Sequence, residues 1–258
     1  MLLAIDSGNT NTVFAVFNDA GDIAGQWRAA AKTAKTADEL AVWLPQLMAL
    51  EDLSRDDIDE VIIATVVPEN LFDLRTLSKK YFGCDALVVG DEGVKLGIEV
   101  HVDRPGEVGA DRLVNTVSAH KTYGGPLIVV DFGTATTFDV VSKDGAYEGG
   151  VIAPGVNLSL EALQRAAAKL PRVDIDRPAS VIGTNTVTAM QSGIYFGYAS
   201  MIEGLIARIR EELNVTDLPV VATGGLAKLY SAACPSIRDT DDDLTLRGLF
   251  TINKLNRG

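Results

Sequence analysis

The sequence predicts an α/β protein of two tandem domains, each a mixed sheet that opens on a β-meander and carries flanking helices. An apolar strand runs into Asp-x-Gly and leaves through Thr/Asn-rich residues into a second strand twice, as LLAIDSGNTNTVFAVF and LIVVDFGTATTFDVV. Matched turns and third strands follow both copies, the mark of an internal duplication. The length of 258 residues puts the second copy near the midpoint, which suits two cores of about 125 residues. The expected domains are residues 1–124 and 125–258.

Leu2 to Ile5 is a short continuous apolar run, the pattern of a strand buried on both faces. Thr12 to Phe17 is a second strand, Asn18 to Asp22 a turn, and Ile23 to Arg28 a returning third strand. Thr36 and Glu39 have capping-box spacing ahead of Leu40, Val42 and Leu44, so a helix starts there, with Pro45 expected to kink or interrupt it. Val61 to Val67 reads as a buried strand, Pro68 suits a first helical turn, and Leu71 to Phe82 has helical spacing. Ala86 to Val89 and Gly97 to Val102 read as short strands. Ala110 to Tyr123 is a helix ended by Gly124-Gly125-Pro126.

The pattern then restarts. Leu127 to Val130 and Thr136 to Val141 form strands around Asp131-Phe132-Gly133, Lys143-Asp144-Gly145 turns, and Tyr147 to Ala153 returns through Gly149-Gly150. Asn185 to Leu213 is a long helix in which Gly193 and Gly197 suggest close packing. Pro219 to Gly225 is a strand entering a glycine turn, and Asp242 to Phe250 is the last helix.

A formal net charge of -12 argues against a general nucleic-acid binder, which carries a basic face. Hydrophobic residues at 47% and charged residues at 22% fit a soluble globular chain. No run approaches the ~18 apolar residues of a membrane helix. Cys84 and Cys234 are far apart and no basic leader precedes an apolar segment, so a reducing cytoplasm is expected. Two histidines and no paired thiols argue against a zinc site.

Two constellations carry chemistry. In Asp6-Ser7-Gly8-Asn9-Thr10-Asn11-Thr12-Val13, glycine lets backbone approach a ligand, amides and hydroxyls can donate to phosphate oxygens, and Asp6 can hold magnesium. The competing reading is an Asx-type hairpin turn that satisfies its own backbone. In Gly109-Ala110-Asp111-Arg112, Asp111 can accept a proton from an alcohol while Arg112 binds a carboxylate or phosphate. Its competitor is a first-turn Asp that favours the helix dipole. Neither a P-loop nor a Gly-x-Gly-x-x-Gly turn is present, so a nucleotide would be held by another architecture.

Two Asp-x-Gly hairpins with a late strand-Gly-Gly-helix element resemble the acetate and sugar kinase, heat-shock protein 70 and actin superfamily, whose domains are ribonuclease H-like. DSGNTNTVF, ADELAVWL, TVVPENLF, GADRLVN, VVDFGTATTFDVV, EGGVIAPG, IGTNTVTAMQSG, TGGLA and DLTLRGL follow in the order and spacing of type III pantothenate kinases. The chain is identified as a member of that family over nearly its whole length.

The resemblance implies transfer of phosphate from ATP to pantothenate, the first step of coenzyme A biosynthesis. It maps ATP onto Asp6 through Val13 and onto Thr134, with Asp6 near Mg²⁺. It maps pantothenate onto Gly109, Ala110, Asp111, Arg112 and Thr186, with Asp111 as proton acceptor. Asp131 becomes a ligand of a monovalent cation, K⁺ or NH₄⁺, and Thr186 reaches its substrate across a homodimer interface. Ser7 departs from the small aliphatic residue often found between the first Asp and Gly. The Tyr that some relatives place before Gly-Ala-Asp-Arg has Val102 as its counterpart here, so that contact is not carried over. Thr223-Gly224-Gly225 resembles the adenosine-side turn, with a plain helix-start turn as its competitor. Alternatives are a kinase for another small alcohol or carboxylate, or a regulatory homologue.

Overall fold

A computed structural model describes residues 1–31, 35–167 and 170–257. It contains two five-stranded mixed sheets of identical topology. The first is built from β1 (Leu2–Ser7), β2 (Asn11–Phe17), β3 (Ile23–Ala30), β4 (Glu60–Thr65) and β5 (Leu87–Val88), in the order β3-β2-β1-β4-β5. The meander β1-β2-β3 is antiparallel, and β4 joins β1 in parallel. The second sheet contains β6 (Leu127–Phe132), β7 (Ala135–Val141), β8 (Tyr147–Pro154), β9 (Val220–Gly224) and β10 (Asp239–Thr240), in the order β10-β9-β6-β7-β8. Read outward from the strand that ends in Asp-x-Gly, the two orders are the same.

Two compact units result, Met1–Thr122 with Asp243–Gly258, and Tyr123–Asp242. The helices of the first are α1 (Ala37–Met48), α2 (Pro68–Thr76), α3 (Ala110–Tyr123) and the C-terminal α7 (Leu244–Arg257). The α7 helix, which a division at 124/125 leaves with the second domain, places Leu246, Leu249 and Ile252 against Leu2, Ala4 and Ile62 of the first sheet. Gly248 makes this possible, since a methyl there would come 2.3 Å from the Val114 carbonyl oxygen of α3. The second unit carries α4 (Val156–Ala166), α5 (Thr186–Glu212) and α6 (Ala227–Ser231).

The expected start of α1 is formed by a full capping box, with the Thr36 hydroxyl accepting from the Glu39 N–H and the Glu39 carboxylate from the Thr36 N–H, worth about 1 kcal/mol. Pro45 neither ends nor divides α1. Leu44 and Met48 on either side of it are fully buried, so packing holds the last turn despite the missing N–H. Gly97 to Val102 is not a strand beyond an isolated bridge at Val100. Asn256 of α7 instead satisfies the nearby backbone, accepting from the Lys95 N–H at 2.9 Å and donating to its carbonyl at 2.8 Å. Gly193 and Gly197 meet nothing within 4 Å of a Cβ, so neither marks a close contact among the described residues. Among the described residues no helix is long and apolar enough to cross a membrane.

Candidate active site

The pleat of β1 decides which residues face which helices. Leu2 and Ala4 lie on the face covered by α3 and α7, whereas Leu3 and Ile5 lie on the face covered by α1 and α2. Alternation therefore puts Asp6 on the α3 side and Ser7 on the α1/α2 side. Gly8 closes the hairpin through its N–H to the Asn11 carbonyl at 3.0 Å, and the Ala31 N–H secures the Thr10 carbonyl at 2.9 Å. Asn9 and Thr10 at the tip are exposed.

Gly109 to Arg112 open α3, on the Asp6 side of the same sheet. The Gly109 carbonyl accepts from the N–H groups of Arg112 at 3.1 Å and Leu113 at 3.3 Å. Asp111 Oδ1 accepts from the Arg112 N–H at 2.8 Å. Burial raises the Asp111 pKa above its ordinary value, and the Arg112 N–H and guanidinium only partly offset this. Val66 links the two elements. Its N–H donates to the Ser7 carbonyl at 3.2 Å, and its Cγ1 stands 3.6 Å from where a Cβ on Gly109 would be. The first unit thus gathers the Asp6 hairpin, Val66 and the Gly109–Arg112 turn.

That same Cβ would come 2.6 Å from Asp111 Oδ1. Gly109→Ala should therefore displace the carboxylate rather than unfold the chain, because a side-chain terminus can move. Turnover is expected to fall about 10–100-fold, the scale of a misplaced reacting group, with the melting temperature within about 3 °C of the parent. Steady-state kinetics beside a thermal melt checks this, and unchanged turnover would show that Asp111 has no fixed position to lose.

The second hairpin is one residue tighter. Gly133 donates to the Ala135 carbonyl at 3.0 Å, and Asp131 pairs with Thr137, whereas Asp6 pairs with Val13. The threonines six positions after each Asp are consequently not equivalent. Thr12 lies opposite Ser7 and Thr137 opposite Asp131, on opposite faces of their strands.

The Asp131 carboxylate lies close to the Gly224 backbone. A methyl on Gly224, whose φ is +89°, would come 2.6 Å from Asp131 Oδ1 and 2.7 Å from the Phe132 carbonyl oxygen. One on Gly155 would come 2.2 Å from the Thr134 carbonyl oxygen and 2.8 Å from that of Gly133. Glycine permits both close approaches, and hard carboxylate and carbonyl oxygens suit an alkali or alkaline-earth cation. The Thr134 carbonyl also accepts from the Gly155 N–H at 3.1 Å, and the Tyr198 hydroxyl on α5 donates to the Pro154 carbonyl at 2.9 Å. Thr186 begins α5, where the Asn185 side chain accepts from the Thr188 N–H. It lines an open groove of about 730 Å³ with Leu163, Gly183, Met190 and Ile194.

Sequence reasoning missed Val66, Tyr198 and the contact of Gly224 with Asp131. Val66 reads as one more apolar strand residue and Tyr198 as one more packed helical aromatic. Only Gly224 carried a signal, the Thr-Gly-Gly turn itself.

Twin mixed sheets with an Asp-x-Gly hairpin at the end of each central strand define the actin-like ATPase and sugar-kinase fold. The chain resembles the ADPNP-bound activator of 2-hydroxyisocaproyl-CoA dehydratase from Clostridium difficile, with a TM-score of 0.57 and 11% identity over 98% of this chain and 94% of that one. It is also similar to component A of (R)-2-hydroxyglutaryl-CoA dehydratase from Acidaminococcus fermentans, with a TM-score of 0.55 and 14% identity over 96% and 94% of the two chains. Identities this low speak to the fold alone.

Within that fold the chain belongs to the type III pantothenate kinase family, whose model matches residues 2–208. It is 62% identical to the type III pantothenate kinase of Paramagnetospirillum magneticum over 99% of this chain and 98% of that protein. Identity to the one from Rhodospirillum rubrum is 61%, over 100% and 99%.

Proposed function

We propose that the chain transfers the γ-phosphoryl group of ATP in line to the primary hydroxyl of pantothenate, giving 4'-phosphopantothenate, with Asp111 taking the hydroxyl proton. Family membership supplies the acceptor. The observation that carries the mechanism is the half-buried Asp111 carboxyl, hydrogen-bonded by the Arg112 N–H and tied through Gly109 and Val66 to the Asp6 hairpin. Little covalent work falls to the protein in phosphoryl transfer, so positioning and charge compensation dominate.

Asp6 through Val13 and Thr134 bind ATP, with the Gly8 turn letting backbone approach the phosphates. Gly109, Ala110 and Arg112 hold pantothenate, whose carboxylate matches the Arg112 guanidinium. Thr186 completes the acceptor site from the second subunit of a homodimer, and the enzyme works in the cytoplasm. Mg²⁺ at Asp6 and K⁺ or NH₄⁺ at Asp131, when bound, supply positive charge against the phosphate oxygens where no P-loop lysine exists. The Asp131 carboxylate and the Phe132 carbonyl oxygen, which converge beside Gly224, support that fit for the monovalent cation.

A coupled assay of ADP release with Mg²⁺ and ATP tests the reading. Pantothenate should be consumed, while glycerol, acetate and glucose should not. Exchanging K⁺ for Na⁺ should lower turnover about tenfold or more, the scale of one lost electrostatic contact to the transition state. Product from another acceptor but none from pantothenate would overturn the assignment.

A further inference from the structure

We infer that Asn70, which lies across the sheet from Asp6, is a positioning residue for the nucleotide hairpin and acts through Ser7. The inference rests on the reading of that hairpin as the ATP site.

Ser7 stands between Asp6 and Gly8, so any rotation of its backbone swings both. It is held twice. Its carbonyl accepts from the Val66 N–H at 3.2 Å and lies 3.3 Å from the Thr65 hydroxyl. Its hydroxyl accepts from Asn70 Nδ2 at 3.1 Å and lies 3.3 Å from Thr12 Oγ1 across the hairpin. Ser7 is fully buried and Thr12 is 8% exposed. Asn70, in the first turn of α2, thus closes a chain of three side chains that joins both strands of the hairpin to a helix.

The setting makes the chain exacting. Ile5, Phe14 and Leu74 form an apolar cluster on this face, where an unmatched hydroxyl or amide loses its water without replacement. The three groups are satisfied together only in one arrangement of the strand ends. Asn70 also borders a small cavity on this face. With Thr12, Phe14, Leu40 and Leu74 it lines a cavity of about 20 Å³, room for about one water and no fragment of a substrate.

The second hairpin shows what the first would need in place of the chain. Phe132 occupies the position of Ser7 there, and stacks on Tyr230 with ring centres 5.3 Å apart and planes 7° from parallel. The tighter second hairpin is anchored by an aromatic stack. The first, with one more residue between paired positions, is anchored by hydrogen bonds, which also fix direction.

Asn70→Leu should raise the KM for ATP about tenfold, the equivalent of one lost hydrogen bond. The KM for pantothenate should stay within about twofold, and the melting temperature within about 3 °C. Asn70→Ala removes the donor without adding bulk or a new acceptor, and should give the same rise, so the role stays testable if the leucine variant does not fold. With Ser7→Ala, the double variant should be no worse than the poorer single, because the two residues act as one unit. An unchanged KM for ATP in both Asn70 variants, or effects that multiply in the double variant, would overturn the role. Asp6→Asn separates the two levels. If it too leaves ATP kinetics intact, the nucleotide reading of the hairpin fails. If it cripples ATP use while the Asn70 variants do not, only the role of Asn70 fails.

Discussion

Asp111→Asn is expected to lower kcat about a thousandfold, within the range for removal of a general base, while the protein melts no lower than the parent at neutral pH. Both halves follow from one environment. The side chain is half-buried, and its carboxyl is pushed above the ordinary aspartate range mainly by desolvation. A folded-state pKa above the unfolded value means that the folded protein binds the proton more tightly. The stability this contributes is present in full below the unfolded pKa and is lost as pH rises through the folded pKa. At neutral pH the ionised carboxylate is therefore a cost to folding, which a neutral amide of the same shape removes. The same shift acts on the rate with the opposite sign. The base must be ionised, so kcat/KM for pantothenate should fall on the acid side at a pH above that of an ordinary aspartate, and the Asn variant should lose this limb. A pH–rate profile and a thermal melt on both proteins measure the two effects. Near-parental turnover in Asp111→Asn would remove the residue from the mechanism.

The architecture was legible because its signals are local and repeated. Strand periodicity, the Thr36 and Glu39 cap and Pro68 at a first helical turn each follow from a few neighbouring residues, and the second Asp-x-Gly copy reports the duplication. What the sequence hid is long-range. That α7 returns to the first sheet depends on Gly248 lying against Val114, a contact between residues far apart in the chain. Gly97 to Val102 has the composition of a strand but pairs only at an isolated bridge at Val100, and the Lys95 backbone just before it is bonded by the Asn256 side chain.

The candidate site shows the same division. Asp6, Asp111 and Asp131 announce themselves by motif, yet the equal six-residue spacing to Thr12 and Thr137 conceals a one-residue difference in register. Because strand side chains alternate, that single residue sends one threonine to the face of its aspartate and the other away from it. No spacing rule recovers this without the pairing. Asn70 is a polar residue in a helical first turn by sequence, and its tie to Ser7 appears only in three dimensions.

That register difference gives the two aspartates different neighbours, Val13 opposite Asp6 and Thr137 opposite Asp131. Asp6→Asn should lower kcat/KM for ATP about 100–1000-fold, as expected where a carboxylate helps to hold a phosphate-bound metal, and should raise the Mg²⁺ concentration needed for half-maximal rate. Asp6 ends a strand whose neighbours on its own face are apolar, Ala4 before it and Val13 opposite. Asp131 has Thr137 opposite and Gly224 against its carboxylate, with the Phe132 carbonyl oxygen beside the same glycine. At Asp6 the expected ion is one that keeps most of its water and shares the phosphates, as Mg²⁺ does. A carboxylate with a carbonyl oxygen beside it suits a larger ion that sheds more water. Each cation should therefore answer to its own aspartate, with the Mg²⁺ response shifted in Asp6→Asn and its K⁺ response kept. Titrating each cation at saturating levels of the other reads both. A shift in the K⁺ response alone would exchange the roles of the two hairpins, and an unaltered kcat/KM for ATP would take Asp6 out of the nucleotide site.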